Sequence, residues 1–420
     1  MVRRWFWVAV FFGSSCGVVF SADWPQFRGP GGQGISPAKG LPIQWDAKKG
    51  IAWKTELPGP GASSPVLFGE RIFLTCYSGY NVPGRPVGRP EDLRRHLVCL
   101  DRKTGRILWD KAVAAKLPEQ ERIRDEHGYA SSTPAVDGER VYCFFGKSGV
   151  LAFDHTGQQL WQADVGDRVH SWGSAASPVL VGDDVIVNAS VESETLYALD
   201  KKSGQIRWKV SGIREAWNTP VVVRNTAGKD ELIVAIQGQL LSFDPSTGQR
   251  FWNCDTDIRW YMVPSVVASE GIVYALGGRS GTAALAVKTA GRGDVTRTHR
   301  LWTSSKGSNV SSPVYHDKHL YFVSDSHGIA YCVEAPTGKV VYEERLPRAG
   351  QFYASALLAD GKIYYLTRTG RVYVVAAQPK FELLATNDFN DPSLFHATPV
   401  AAEGRLFIRS DKYLYCVAKE

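Results

Sequence analysis

Short apolar runs of about five residues, many alternating with polar ones, follow one another along nearly the whole chain, and none keeps a helical period. The runs come in sets. One set opens on a small polar residue and a Pro: "SSPVLFGERIFLT" from Ser63, "SSTPAVDGERVYCFFG" from Ser131, "ASPVLVGDDVIVNAS" from Ala176 and "NTPVVV" from Asn218. It returns as "VPSVVASEGIVYALGG" from Val263, "SSPVYHDKHLYFVSD" from Ser311, "ASALLADGKIYYLTRTG" from Ala354 (without the Pro) and "ATPVAAEGRLFIRSD" from Ala397. A second outline follows the first: "CLDRKTGRILWDK" from Cys99, "AFDHTGQQLWQA" from Ala152, "ALDKKSGQIRWKV" from Ala198 and "SFDPSTGQRFWNC" from Ser242.

Each unit parses as four short strands. Strand A starts at the Ser/Thr-Pro, since Pro is tolerated at a strand's first residue. A tight turn such as Asp137-Gly138 leads to strand B. Strand C carries the "ALD" outline, and a turn whose Gly suits positive φ leads to strand D, which holds the Trp. Eight copies, most roughly 42 to 50 residues apart, predict an all-β chain folded as one eight-bladed β-propeller of four-stranded antiparallel blades. The chain ends in "KYLYCVAKE", a strand C without a strand D, and near its start, from Trp45, carries "WDAKKGIAWKTELPG", a strand D without its A, B and C. Pairing the N-terminal strand with the C-terminal strands completes the eighth blade and removes open edges. The expected boundaries are a signal peptide at 1–22, an N-terminal arm at 23–44 and the propeller at 45–420.

In this frame the recurring Trp is architectural. Trp53, Trp109, Trp161, Trp208, Trp252 and Trp302 fall on outer strands, where a large flat ring packs between neighbouring blades. Cys99, Cys332 and Cys416 share a repeat position with Ala198 and Ser242, so a small buried side chain is the simpler reading there than a disulfide.

Composition changes the picture at three points. With 41 Gly, 22 Pro and 13 Trp, the 420-residue chain is turn-rich and aromatic-rich. Its net charge of +7 is mild and dispersed, which argues against a nucleic-acid partner. The start, "MVRRWFWVAVFF" before "VVFSA", has the positive end, apolar stretch and small-residue cleavage region of an export signal. The run is broken by "GSSCG", so no transmembrane span is expected. Cys16 raises a lipid anchor as an alternative, although Gly13 stands where such sites usually want Leu. An exported, periplasmic or extracellular monomer is expected.

The Asp…Thr/Ser-Gly…Trp outline resembles the repeat of pyrroloquinoline-quinone (PQQ) dehydrogenase propellers and of their non-enzymatic BamB-type relatives. "DWPQFRGPGGQGIS" resembles the N-terminal arm of such quinoprotein-like propellers. The resemblance covers Asp23 to Glu420, with departures in blades five to seven: "AVKTAGRGDVTRTHRLW" is lengthened, Tyr342 replaces Trp, and "VVAAQPKFELLATN" lacks the turn. For the dehydrogenases it implies PQQ, calcium ligands, an Asp base and a pair of adjacent cysteines. No Cys-Cys dipeptide is present, and no C-x-x-C-H segment exists to accept electrons.

Loops entering the A strands converge at one mouth of a propeller channel. Here they place His127, Tyr129, His170, Trp172, Glu215, Trp217, Asn218, Arg259, Trp260, Tyr261, Asn309, Gln351, Tyr353 and His396 around one rim. Three readings stay open: a plug that caps strand ends, a ligand or peptide site, and quinone stacking on Trp217 or Trp260 with Glu215 and Asn218 on a metal. One carboxylate and one amide make a thin calcium site. The insertion at 79–96, with Arg85, Arg89, Arg94 and Arg95, reads as a surface loop, and "RGD" at 292–294 as accidental. His316 and His319 read as a surface turn, and Asn188, in "NAS", as a strand residue and an improbable glycosylation acceptor. No nucleophile elbow, phosphate loop or paired carboxylates appear.

The sequence therefore points to an exported, non-catalytic propeller that binds an envelope protein or extracellular glycan at its channel mouth. No catalytic residue, metal ligand or cofactor is assigned. The alternative is a reduced PQQ-dependent oxidoreductase.

Overall fold

The computed structural model describes residues 23–121, 123 and 126–419. The expected signal peptide and Cys16 lie outside them. Eight sheets are arranged as eight blades, each with four antiparallel strands numbered A to D from the centre outward. Blade 3 is representative: Val179–Val181, Asp184–Ala189, Thr195–Asp200 and Ile206–Ser211 pair in that order. Strand B of this blade is buried on both faces, while strand D alternates between half-buried and exposed. That contrast follows from position, because a middle strand is covered by both neighbouring blades and an outermost strand meets water on one side.

The eighth blade closes as the termini predict. Ile51–Glu56 forms its outer strand against Tyr413–Ala418, with Trp53 opposite Cys416. No helix among the described residues is long and apolar enough to cross a membrane.

The two consensus residues of the repeat touch each other across five of the eight seams. A Cβ built at Gly204 in blade 3 would lie 2.6 Å from the indole of Trp161 in blade 2. Gly105, Gly157, Gly248 and Gly338 meet Trp53, Trp109, Trp208 and Trp302 in the same way. The indole Nε1 of Trp109, Trp161, Trp208 and Trp302 then donates to a turn carbonyl of the next blade, at His155, Lys201, Pro245 and Ala335. The glycine is thus required twice, for its positive φ and for lack of a side chain where the ring lies. Opposite each Trp on strand C stands a small residue: Cys99 faces Trp109, Ala198 faces Trp208, and Ser242 faces Trp252. This is why Cys appears at that position, and all six described cysteines are free and buried.

Trp252 departs from the pattern because the lengthened blade-5 segment folds back over it. Gly293–Asp294 pairs in parallel with Trp252 and Asn253 at the outer edge of blade 4. Trp252 is fully buried, and its Nε1 donates to Glu231 at 2.7 Å. Glu231 also accepts from Asn225, Ser242 and the Ala290 amide, so a fully buried carboxylate has four donors. The "RGD" string is the cap on that edge.

The arm crosses the end of the channel formed by the A–B turns. Trp24 bridges to Leu67 of blade 1, and the Pro25 carbonyl accepts from Val136 of blade 2. Gln33 accepts from Ala268 of blade 5, Ile35–Ser36 pairs in parallel with Leu358–Ala359 of blade 7, and Ser36 donates to Ala401 of blade 8. Between these anchors Phe27 faces the channel.

The insertion in blade 1 is shorter as a loop than its composition implied. Strands B and C there run as Arg71–Ser78 and Arg94–Asp101, so Arg94 and Arg95 are strand residues. Arg95 is buried and bonded to Glu119, Ser148 and the Tyr129 carbonyl.

Candidate functional site

The Ser/Thr at the start of each A strand has a function the repeat pattern alone did not reveal. In each case a backbone N–H at one blade donates to the hydroxyl oxygen of the next. Ser64 donates to Thr133, Thr133 to Ser177, Ser177 to Thr219, and Thr219 to Ser265. Ser265 donates to Ser312, Ser312 to Ser355, and Ser355 to Thr398. These eight residues form a crown around the channel, with seven seams stitched by bonds of 2.9–3.1 Å. At the seam between Thr398 and Ser64, the buried Arg409 guanidinium reaches across from blade 8 to the Ser63 carbonyl and hydroxyl.

Above the crown the channel widens into a cavity of about 170 Å³. Crown hydroxyls and Phe27 line its floor, and Glu126, His127, Trp172, Trp217, Tyr261, Arg279, Tyr353 and His396 line its walls. The walls are built from D–A loops and from B–C turns, which emerge on the same face. Tyr261 is the hub of the aromatic side: its ring centroid lies 5.6 Å from that of Trp217, 6.2 Å from Trp172 and 5.5 Å from Trp260. Trp217 is fixed by a 2.7 Å bond from Nε1 to the Gly173 carbonyl and an edge contact with His170. Arg279 donates to the Tyr261 hydroxyl and lies over the Trp260 ring. Trp172 and Trp260 remain more than a third exposed, so apolar ring surface faces solvent at the rim.

The opposite wall is polar. The Tyr353 hydroxyl donates to Glu126 at 2.6 Å, and Arg368 lies over the Tyr353 ring with its Nη1 donating to Gln351 Oε1. Burial first, and then Glu126, push the Tyr353 phenol up. His127 bridges Ser131 and the Trp172 carbonyl, and burial pulls its pKa down. His396 packs beside Tyr353, and its Nδ1 is buried without a protein partner. Burial first, then Arg368, His127 and Arg409, hold His396 well below the usual imidazole range.

Eight of the fourteen rim residues read from the sequence thus meet at this cavity or its aromatic edge: His127, His170, Trp172, Trp217, Trp260, Tyr261, Tyr353 and His396. Gln351 and Arg259 are exposed beside it. The other four do not join it. Tyr129 turns away from the channel into a cluster with Tyr77 and Tyr80, because the hairpin of blade 1 offers it an apolar bed. Asn218 bonds the Ala235 and Met262 carbonyls and the Ala235 amide. Asn309 is buried, with both side-chain amide atoms unpartnered in the protein. Glu215 stands at positive φ, 3.9 Å from His170. The sequence reading missed Glu126, Arg279, Arg368, Phe27 and the crown hydroxyls. The arginines sit in "GGRSG" and "TRTG", B–C turns that open on the same face as the D–A loops.

These residues do not fit a calcium-bound quinone. Calcium takes six to eight oxygen ligands, yet the Asn218 amide is consumed by backbone groups, and Glu215 belongs to no cluster of such ligands among the described residues. Among the described residues no three His, Cys, Asp or Glu side chains converge.

A family model described as outer membrane protein assembly factor BamB matches residues 91–255 and, overlapping, 192–344. The protein of that name from Yersinia pestis is 24% identical over 307 residues, spanning 69% of this chain and 74% of its own. The one from Burkholderia pseudomallei (strain K96243) is 22% identical over 191 residues, 45% of this chain and 41% of its own. The crystal structure of BamB from Moraxella catarrhalis superposes with a TM-score of 0.62 at 15% identity, over 88% of this chain and 97% of that one. The quinohemoprotein alcohol dehydrogenase from Comamonas testosteroni superposes with a TM-score of 0.65 at 11% identity, over 96% and 81%. At such identities the superpositions show a shared fold alone.

Proposed function

The chain belongs to the outer membrane protein assembly factor BamB family of PQQ-like propellers, and from that premise we propose that it is an exported, non-catalytic propeller of the cell envelope that docks a partner at its channel mouth. The observation that carries this reading is the ring cluster around Tyr261, whose outer members Trp172 and Trp260 stay exposed at the rim. Exposed aromatic rings beside fixed polar groups are the usual anchors of protein recognition. The partner is an envelope protein, in keeping with an assembly role. Export rests on the N-terminal signal pattern.

The test uses the mature chain, Asp23 to Glu420, with a photo-crosslinking residue at Gln351, incubated with solubilised outer-membrane proteins. One envelope protein should be captured, and capture should fall about tenfold in Trp172→Ala/Trp260→Ala. Equal capture by the variant would remove the mouth from the mechanism. The oxidoreductase alternative is tested by titrating the same chain with PQQ and calcium while following Trp fluorescence and dye reduction; saturable binding with turnover would replace the present reading.

A further inference from the structure

The crown leaves a chemical residue that blade stitching does not use. Six of its hydroxyls, at Ser177, Thr219, Ser265, Ser312, Ser355 and Thr398, line the cavity. Each accepts a backbone N–H, and among the described residues none has a protein acceptor for its own hydrogen. A hydroxyl that accepts one N–H keeps its proton to donate, along with a second lone pair. The floor of the channel is therefore a circle of donors.

Two arginines lie beneath the floor, with Asp411 acting on one of them, Arg409, and the carboxylate of Glu126 stands in the cavity wall on the Tyr353 hydroxyl. Arg28 is completely buried beneath the crown, bonded to the Ser312 and Pro313 carbonyls and to Gly32 and Gln33 of the arm. Arg409, also completely buried, donates to Ser63 beside the crown. Among the described residues, neither guanidinium has a carboxylate within ion-pair distance. His396, whose Nδ1 is unpartnered, faces the same cavity. A buried polar atom without a partner marks a place where something else completes the bond.

We propose that the channel binds a small aromatic carboxylic acid, head first, with its carboxylate on the crown hydroxyls and His396 and its ring against Trp217 and Tyr261. The inference rests on the mouth reading above and names what enters below it. Carboxylate oxygens accept several hydrogen bonds and donate none, which matches a floor of donors; the positive groups beneath add attraction at short range. The aromatic wall suits a flat ring. The arm closes the far end at Phe27, so the acid enters from the mouth.

The experiment compares 3-phenylpropionate with 3-phenylpropionamide, which share a body and differ in charge, by calorimetry on the mature chain. The acid should bind at least about tenfold more tightly, the margin expected of hydrogen bonds to a charged group. His396→Phe keeps the ring contact with Tyr353 and should remove most of that margin; Thr398→Val keeps the side-chain volume, gives up the Ser355 N–H bond together with the free hydroxyl proton, and should reduce the margin, with thermal unfolding confirming that both variants fold. A shift of the His396 ring nitrogens on adding the acid, but not the amide, places the carboxylate. Equal binding of acid and amide, no binding of either, or an unchanged margin in both folded variants would overturn the inference. Partner capture by the wild-type chain reports separately: capture without acid binding sinks this inference alone, and acid binding without capture sinks the docking reading alone.

Discussion

Gly204 shows how one position can satisfy two independent demands. It stands at φ +73°, a region that costs an L side chain about 1–2 kcal/mol, and a Cβ there would press on Trp161 at 2.6 Å. Gly228 has the same φ requirement, +74°, but nothing within 4 Å. Gly228→Ala should therefore cost only the backbone penalty, about 1 kcal/mol. Gly204→Ala should cost about 2–4 kcal/mol, because the indole must also give way. Urea unfolding of the two variants separates the terms; equal losses would mean that the seam contact is soft. A second residue-scale prediction concerns Glu192, buried beside Ser174, whose pKa burial raises from 4.5 to about 7. A raised acid contributes stability that is complete below pH 4.5 and is lost as pH rises through 7. The loss is on the order of 3 kcal/mol. Glu192→Gln should flatten that part of the curve, with the difference from wild type measured by urea midpoints at pH 4.5 and 8. Asp411, raised to about 6 by burial, acts in the same direction over a lower window.

At the scale of elements, what recurs was legible and what occurs once was not. The Gly…Trp outline located strands C and D and their seams because eight blades repeat one geometric problem. The Ser/Thr before Pro was read as a strand start, and its hydroxyl role stayed hidden because bonding to the next blade leaves no local signature. Tyr129 was placed on the rim because its loop leads toward the channel, whereas its ring follows the apolar bed of Tyr77 and Tyr80. The arm's path could not be read, since its anchors lie hundreds of residues away in sequence. The blade-5 cap is likewise a single event, and its chemistry invites a test at Glu231. Both oxygens accept two donors each, so Glu231→Gln would turn an amide N–H₂ either toward the Trp252 indole, which can only donate, and Ser242, or toward the Ala290 N–H, which can only donate, and Asn225. Leaving buried donors unpaired costs about 2–4 kcal/mol. Thermal unfolding should show that loss, and Trp252 should become accessible to acrylamide quenching while Trp302 does not.

For the whole molecule, the decisive feature is that the ring of blades closes through one blade built from both ends of the chain. Ile51–Glu56 has one strand partner, Tyr413–Ala418, and that partner connects it to the rest of blade 8. Removing the chain after Ser410 takes away the middle of the blade, strands its outer strand, and exposes the apolar face that Leu414, Cys416 and Val417 cover. Removing the arm, residues 23–44, is a different operation. It strips Trp24 and Leu41 from the surface of the core, and it leaves Arg28's carbonyl partners in blade 6 to water at the opened channel floor, but every blade keeps four strands. The expectation is that the arm-deleted chain still unfolds in one cooperative transition at a lower temperature, with its near-UV circular dichroism intact. The chain ending at Ser410 should lose that signal and associate, since blade 8 would present unpaired edges. A truncated chain with a native spectrum would show that seven blades hold the ring without closure, and the pairing of the two ends would then be a consequence of the fold instead of a condition for it.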